Sequence, residues 1–343
     1  MVQDRVLHIL FGLCTAILVI AALYFTRPIF GPVAFSLFII ALTWPLQSVL
    51  QGKMPKLLAL AITILTTVVV ATVLGSIIVW GFSVIGQWVF KNAARFQALY
   101  VQTTNWLEGH DVFLPGLLLE YFDVNWLIRA FQQLSGRIQG FLSFALITLV
   151  FLLLGLLEVD IARRKFESLD NKEFGQSLLQ AGSKAAAKLR KYMLVRTLMS
   201  VITGIVIWAF AWLVGLELAA AWGVIAFALN YIPFIGPFVA TVFPTLFAMA
   251  QSESWQMAVI VFLCLNLIQF LIGSYLEPRV AGAALSISPL MVLFAVFFWT
   301  FLWGIAGAFI GIPIMIAVLT ICEQYPSSHW IAVLLSGRDD AST

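Results

Sequence analysis

Away from its charged loops, the 343-residue chain carries few side chains able to do chemistry: His8, Gln47, Glu158, Asn230, Asn266, Gln269 and Glu277. Three of them share one apolar stretch, "LCLNLIQFLIGSYLEP", where Asn266 and Gln269 are followed by Gly273 and Glu277 at steps of three, four and four. On an uninterrupted α-helix that spacing lines one face with two amides and a carboxylate. Such a stripe suits a polar solute, or hydrogen bonds across helices as packing glue. Asn230 opens a different feature, "NYIPFIGPF". Pro233 and Pro237 lack an N–H and cannot both lie in an unbroken straight helix, while Gly236 permits a tight reversal. Asn230 can satisfy the backbone groups freed there, or a ligand.

A second run, "WGIAGAFIGIP", holds Gly304, Gly307, Gly311 and Pro313, and reads as another break. Gly307 and Gly311 also fit a G-x-x-x-G close-packing face. His8 and Gln47 lie near expected helix ends, where an interfacial side chain needs no further account. Glu158 sits beside Asp160 and the Arg163–Arg164 pair, which predicts a structural ion pair. No H-E-x-x-H, G-x-x-x-x-G-K-[ST] or G-x-S-x-G occurs, and the three histidines, His8, His110 and His329, are widely spaced. Neither an enzyme nor an ATP-driven pump is expected. Cys14, Cys264 and Cys322 are isolated in apolar stretches, so no disulfide, metal site or cofactor is expected either.

The elements that must position these residues follow from composition. The chain is 62% hydrophobic and 10% charged, with a mean hydropathy of +1.03. Soluble domains run near about 45–50% apolar and about 25% charged, so this is an all-α membrane protein. A span needs about 20 apolar residues. Candidates are Val6–Phe25, Pro28–Leu50, Leu57–Phe82, Phe141–Leu157, Thr197–Leu216 and Trp255–Leu276. The first is longer than a signal-peptide core and is read as a retained span. The runs Leu218–Ala250 and Pro289–Cys322 are too long for one helix, and each half is short for a crossing. They read as re-entrant hairpins or broken helices, giving about eight membrane segments.

Loop charge sets the orientation. Asp160–Arg196 carries nine basic and four acidic residues, "QGKMPK" carries Lys53 and Lys56 with no acid, and Gln87–Gly140 has four of each sign. The positive-inside rule puts the first two in the cytoplasm and the third outside, with both termini cytoplasmic. In the outer region Val124, Leu127, Ile128, Phe131, Leu134 and Ile138 follow a helical rhythm after Asp123, and an earlier helix runs from Ile85 to about Leu107. In the basic loop, Phe174, Leu178, Ala181, Ala185, Leu189 and Tyr192 form the apolar face of a second amphipathic helix, Glu173–Arg196. Lys184, Lys188 and Lys191 lie off that face, as for a helix at anionic headgroups rather than a nucleic-acid binder. The expected organisation is spans over 1–86, an outer helical region over 87–140, a fourth span over 141–158 and a basic loop over 159–196. A transport core over 197–322 and a tail over 323–343 follow. Each broken run follows one span, entering from opposite sides, which is the outline of an inverted repeat.

"ALNYIPFIGPFVA", the block from "YLEPRV" through "SISPLMVLFAVFFWTFLWGIAGAFIGIPI", "TWPL" in the second span, "LLEV" at Leu156–Val159 and the terminal "IAVLLS" resemble the AI-2E family of bacterial membrane transporters. The resemblance spans nearly the whole chain and is least specific over Gln87–Gly140. It implies an inner-membrane protein that exports a small polar signal, autoinducer-2 or its precursor. It also implies homo-oligomers, pentamers among them, and places Asn230, Pro233, Gly236, Pro237, Glu277, Pro278, Arg279 and Pro289 at matching positions. Other members are described as sodium (lithium)/proton antiporters, which stands as the alternative; a membrane-anchored sensor or scaffold is a second. The expected site lies where the broken runs meet the Asn266–Gln269 face, with Glu277 and Arg279 as gate or coupling pair to H⁺ or Na⁺.

Overall fold

The computed structural model describes residues 2–98, 138–281, 287–325 and 328–335. The described helices are α1 (Val2–Phe25), α2 (Arg27–Gln51), α3 (Lys56–Lys91), α4 (Ile138–Glu167), α5 (Lys172–Leu213), α6 (Ala219–Leu229) and α7 (Ile235–Ser252). Then come α8 (Trp255–Gln269), a π-helical segment (Phe270–Leu276), α9 (Glu277–Ala281), α10 (Pro289–Gln324) and α11 (His329–Leu335). Among the described residues, seven helices are long and apolar enough to cross a membrane. Large apolar side chains face outward, with Leu57 72% and Trp212 71% exposed, an arrangement that lipid satisfies and water does not. The chain is an all-α, multi-pass membrane protein. The outer helix expected after Asp123 lies outside the described residues.

Contacts divide the chain into two compact units, one of residues 1–67, 141–192 and 283–343, the other of 68–140 and 193–282. In the first unit, α2 shows how the fold handles proline. Pro45 has no N–H, so the Ala41 carbonyl loses its helical partner. Arg190 of α5 donates to that oxygen at 2.9 Å. Lys56 fastens α3 to α4, pairing with Asp160 at 3.2 Å and donating to the Leu157 carbonyl at 2.9 Å. The acid that makes the expected ion pair is thus Asp160, with Lys56 in place of the neighbouring arginines. On α5, Ala181, Ala185, Leu189 and Tyr192 are buried as expected, while Phe174 is 49% exposed. Lys188 pairs with Glu323 at 2.6 Å and Lys184 donates to Gln324 at 3.2 Å, so two of the three off-face lysines close onto the end of α10.

Helix α10 breaks at Gly304, whose φ of 64° and ψ of −142° are open to glycine. A methyl on Gly307 would lie 1.9 Å from the Trp299 carbonyl oxygen, and one on Gly311 would lie 3.0 Å from that of Ala295. Along a straight helix Ala295 and Gly311 would stand about 24 Å apart. The run therefore folds back on itself as a hairpin. Its G-x-x-x-G face serves that close packing.

The interfacial helix and fifth span expected on either side of Arg196 are one continuous helix, α5, of 42 residues. No glycine or proline separates Tyr192 from Thr197, so nothing in the backbone stops the helix there. In the second unit the first broken run is also a hairpin. It turns through Asn230–Phe234, with Phe234 at φ 63°, and a methyl on Gly236 would lie 1.9 Å from the Leu229 carbonyl oxygen. Its legs close on Trp222 and Phe247, rings 5.1 Å apart, with Trp88 of α3 at 4.0 Å from Phe247. At the hairpin's open end Trp88 donates to Glu217 at 2.5 Å, the Glu217 amide donates to Gln251 at 2.8 Å, and Gln251 donates to the Gly215 carbonyl at 2.9 Å. Helices α5 and α6 cross at Gly204 and Gly223, where an added methyl on either would meet the other's carbonyl oxygen at 2.9 and 2.7 Å.

Gly223→Ala should therefore force α6 away from α5 and cost about 1–3 kcal/mol, read as a lowered thermal midpoint in detergent. Gly182→Ala on exposed α5, where a methyl meets nothing within 4 Å, should leave the midpoint unchanged or raise it.

Candidate functional site

Several polar groups of the second unit converge on one short stretch of α5. Arg196, Thr197 and Ser200 fall at i, i+1 and i+4, and Arg196 and Ser200 therefore share a face. Asn230, 6% exposed at the tip of the hairpin, donates from Nδ2 to the Ser200 Oγ at 3.1 Å. Next to it the Tyr231 hydroxyl and the Thr197 hydroxyl are hydrogen-bonded at 3.0 Å, and the Arg196 guanidinium acts electrostatically on the same phenol. Arg196 itself is 6% exposed and grips Glu277, with Nη1 at 2.6 and 2.8 Å from the two carboxylate oxygens. Its Nε is buried without a partner among the described residues.

The hairpin tip explains why these residue types stand there. Asn230 caps α6, its own N–H still bonded to the Ala226 carbonyl at 3.0 Å. Pro233 accepts from the Ile235 N–H at 2.7 Å, which closes the turn. Gly236 is buried where a side chain would strike the Leu229 backbone. Pro237 falls within the first turn of α7, where a missing N–H costs no helical bond. The Asn230 side chain then ties this irregular backbone to α5.

Two sequence expectations change. Glu277 does not pair with Arg279: its partner is Arg196, and the Arg279 guanidinium lies over the Tyr275 ring at 3.7 Å. Arg196 had read as one more loop cation, because a basic residue beside a span usually marks the boundary. The stripe Asn266–Gln269–Gly273–Glu277 does not share one environment either. Asn266 is exposed and donates to the Phe262 carbonyl of its own helix at 2.8 Å, and Gly273 meets nothing. A π segment, Phe270–Leu276, follows Gln269 and turns Glu277 by about one residue's rotation relative to it. Gln269 keeps a buried Nε2 without a partner among the described residues.

The remaining candidates lie in the first unit. Gly304 makes the break in α10, and Gly307, Gly311 and Pro313 are buried on its second leg. Gln47, expected at an interface, is fully buried, with neither amide atom hydrogen-bonded among the described residues. Thr197, Ser200 and Tyr231 escaped the sequence reading because hydroxyls are common in membrane helices. The one pointer to Arg196 was an unpartnered cation flanked by apolar residues in "YMLVRTLM".

A buried cation left alone is far costlier than the pair. Arg196→Leu and Glu277→Leu should each destabilise by about 3 kcal/mol, and the double variant by clearly less than their sum, in a double-mutant cycle of thermal unfolding.

Comparison with known proteins accords with this architecture. The family described as AI-2E family transporter matches residues 13–327. The AI-2 transport protein TqsA of Escherichia coli K12 is 29% identical, over 96% of this chain and 96% of its own. YhhT of the same organism is 22% identical over 96% of this chain and 94% of its own. YrrI of Bacillus subtilis is 26% identical over 84% of each. The last two are provisionally described as transport proteins, with no substrate named. A chain matched across nearly its whole length, built of membrane helices around a buried polar site, belongs to the AI-2E transporter family.

Proposed function

We propose that this transporter moves a small, neutral, hydroxyl-bearing signal of the autoinducer-2 kind out across the bacterial cytoplasmic membrane. The observation that carries the reading is the cluster Arg196, Thr197, Ser200, Asn230, Tyr231 and Glu277, set at a helix break among membrane segments. Its one cation and one anion neutralise each other, which disfavours a charged solute. Its hydroxyls and amide suit a solute that both donates and accepts hydrogen bonds. The name of TqsA supports the substrate class. Cation/proton antiport has no such support, since none of the three relatives above is described as an antiporter.

In the proposed cycle both hairpins are re-entrant elements of an inverted repeat, and the termini are cytoplasmic. Asn230, Pro233, Gly236 and Pro237 form the substrate-facing tip, with Gln269 and Asn266 beyond it on α8. Gly304, Gly307, Gly311 and Pro313 shape the opposite hairpin. Alternating access requires the Arg196–Glu277 pair to loosen, which makes it the gate and the point where coupling to H⁺ or Na⁺ would act, with Arg279 beside it. Assembly as a homo-oligomer, a pentamer by family resemblance, completes the proposal.

Reconstitution in liposomes tests it, with autoinducer-2 uptake and Na⁺/H⁺ exchange measured side by side. Uptake of the signal without cation exchange is expected. Asn230→Ala and Ser200→Ala should each slow uptake by about tenfold, the equivalent of one lost hydrogen bond at the site. Cation exchange without signal uptake would refute the substrate class.

A further inference from the structure

Ile40, Trp44, Gln47 and Gln51 fall within about 60° of one another around α2. The first two pack on the cluster of Leu60, Leu152 and Leu156 from α3 and α4. A methyl on Gly155 would strike Ile40, so α2 and α4 run close together there. One turn further the stripe changes character. Helix α2 ends at Gln51 and α3 begins at Lys56, one turn before Leu60, while Asp160 stands one turn after Leu156. Lys56 and Asp160 meet at 3.2 Å, so these residues share one end of the three helices, within the first unit. An apolar layer is thus followed by a layer of two amides and an ion pair.

The pair forms the open side of that layer, each side chain 39% exposed. Gln47 is its closed side: it is 0% exposed, and neither amide atom has a partner among the described residues. Gln51, one turn on, buries an Nε2 in the same condition. Stranding an amide in apolar surroundings is costly, and buried polar groups are nearly always satisfied by protein or by ordered water.

The atoms define the occupant. It must accept from two amide nitrogens and donate to the Gln47 oxygen. A cation cannot accept, and an anion cannot donate to that oxygen, while Lys56 is already neutralised by Asp160. Water does both, with the three bonds usual for a buried water. Side chains one turn apart leave the helix about 5–6 Å from each other, a gap that one water bridges.

We propose that Gln47 and Gln51 hold a resident water at the end of α2 that meets α3 and α4. This water site is separate from the Arg196–Asn230 cluster and does not rest on the transport reading.

A cryo-electron microscopy map of the full chain in lipid nanodiscs, without added solute and at a resolution that shows ordered water, tests it. Density is expected within about 3.2 Å of the Gln47 amide and the Gln51 Nε2. A Gln47 side chain turned onto a protein partner, or no density beside it, would overturn the proposal. Density that appears only after saturation with autoinducer-2 would overturn water as the occupant. Unfolding in detergent gives a second readout of opposite sign. Were the amide dry, Gln47→Met, close to it in volume, would raise the thermal midpoint by removing a stranded group. With the water in place the midpoint should fall by about 2 °C. Gln47→Met/Gln51→Met should then fall by less than the sum of the single variants, because both lose the same water. A raised midpoint for Gln47→Met, or strictly additive losses, would contradict the shared water.

Discussion

Hydrocarbon offers no hydrogen bonds, so every break in a membrane helix must find its partners inside the protein. This constraint shapes both units. Where Pro45 strips the Ala41 carbonyl of its helical partner, Arg190 supplies one from another helix. Where the first broken run turns at Asn230–Phe234, Ser200 and Thr197 meet the Asn230 amide and the Tyr231 hydroxyl. The long helix α5 is thus both a structural column and the polar wall against which the irregular segment rests. A turn of this kind cannot be displaced without breaking named bonds.

The same constraint applies with greater force to charge. Arg196 is almost wholly enclosed, and Glu277 neutralises it through two short contacts. A buried pair of this sort contributes little net stability compared with apolar packing, but separating its members is expensive. On the proposed reading it is a latch, whose release would need a compensating interaction. The π segment fits this picture, since it is what sets the angular position of Glu277. Chemistry at the latch and geometry of the helix are one problem.

Much of the architecture was legible in the sequence because it follows from length and backbone chemistry. Runs of apolar residues long enough to span, prolines that cannot sit in a straight helix and glycines that admit a reversal marked both hairpins, and Gly304 breaks α10 within the predicted glycine-rich centre. The site was only half legible. Asn230 and Glu277 stood out as polar groups in apolar runs, but their partners did not. Arg196 looked like a boundary marker because charge near a span is normally solvated, and only the fold puts a carboxylate 81 positions away against it. The Asn266–Glu277 stripe was legible only as spacing, because periodicity does not say that Asn266 bonds within its own helix while Glu277 meets Arg196. Gln47 looked interfacial from its place near a helix end, whereas packing buries it completely.

The central claim is that the α5 polar wall and the Asn230 hairpin tip together hold the transported solute. The most direct measurement is a structure of the protein in lipid nanodiscs saturated with autoinducer-2. The account predicts solute density within hydrogen-bonding distance of Ser200, Asn230 and Arg196. Density bound elsewhere, with the Asn230–Ser200 and Arg196–Glu277 contacts unchanged, would contradict it.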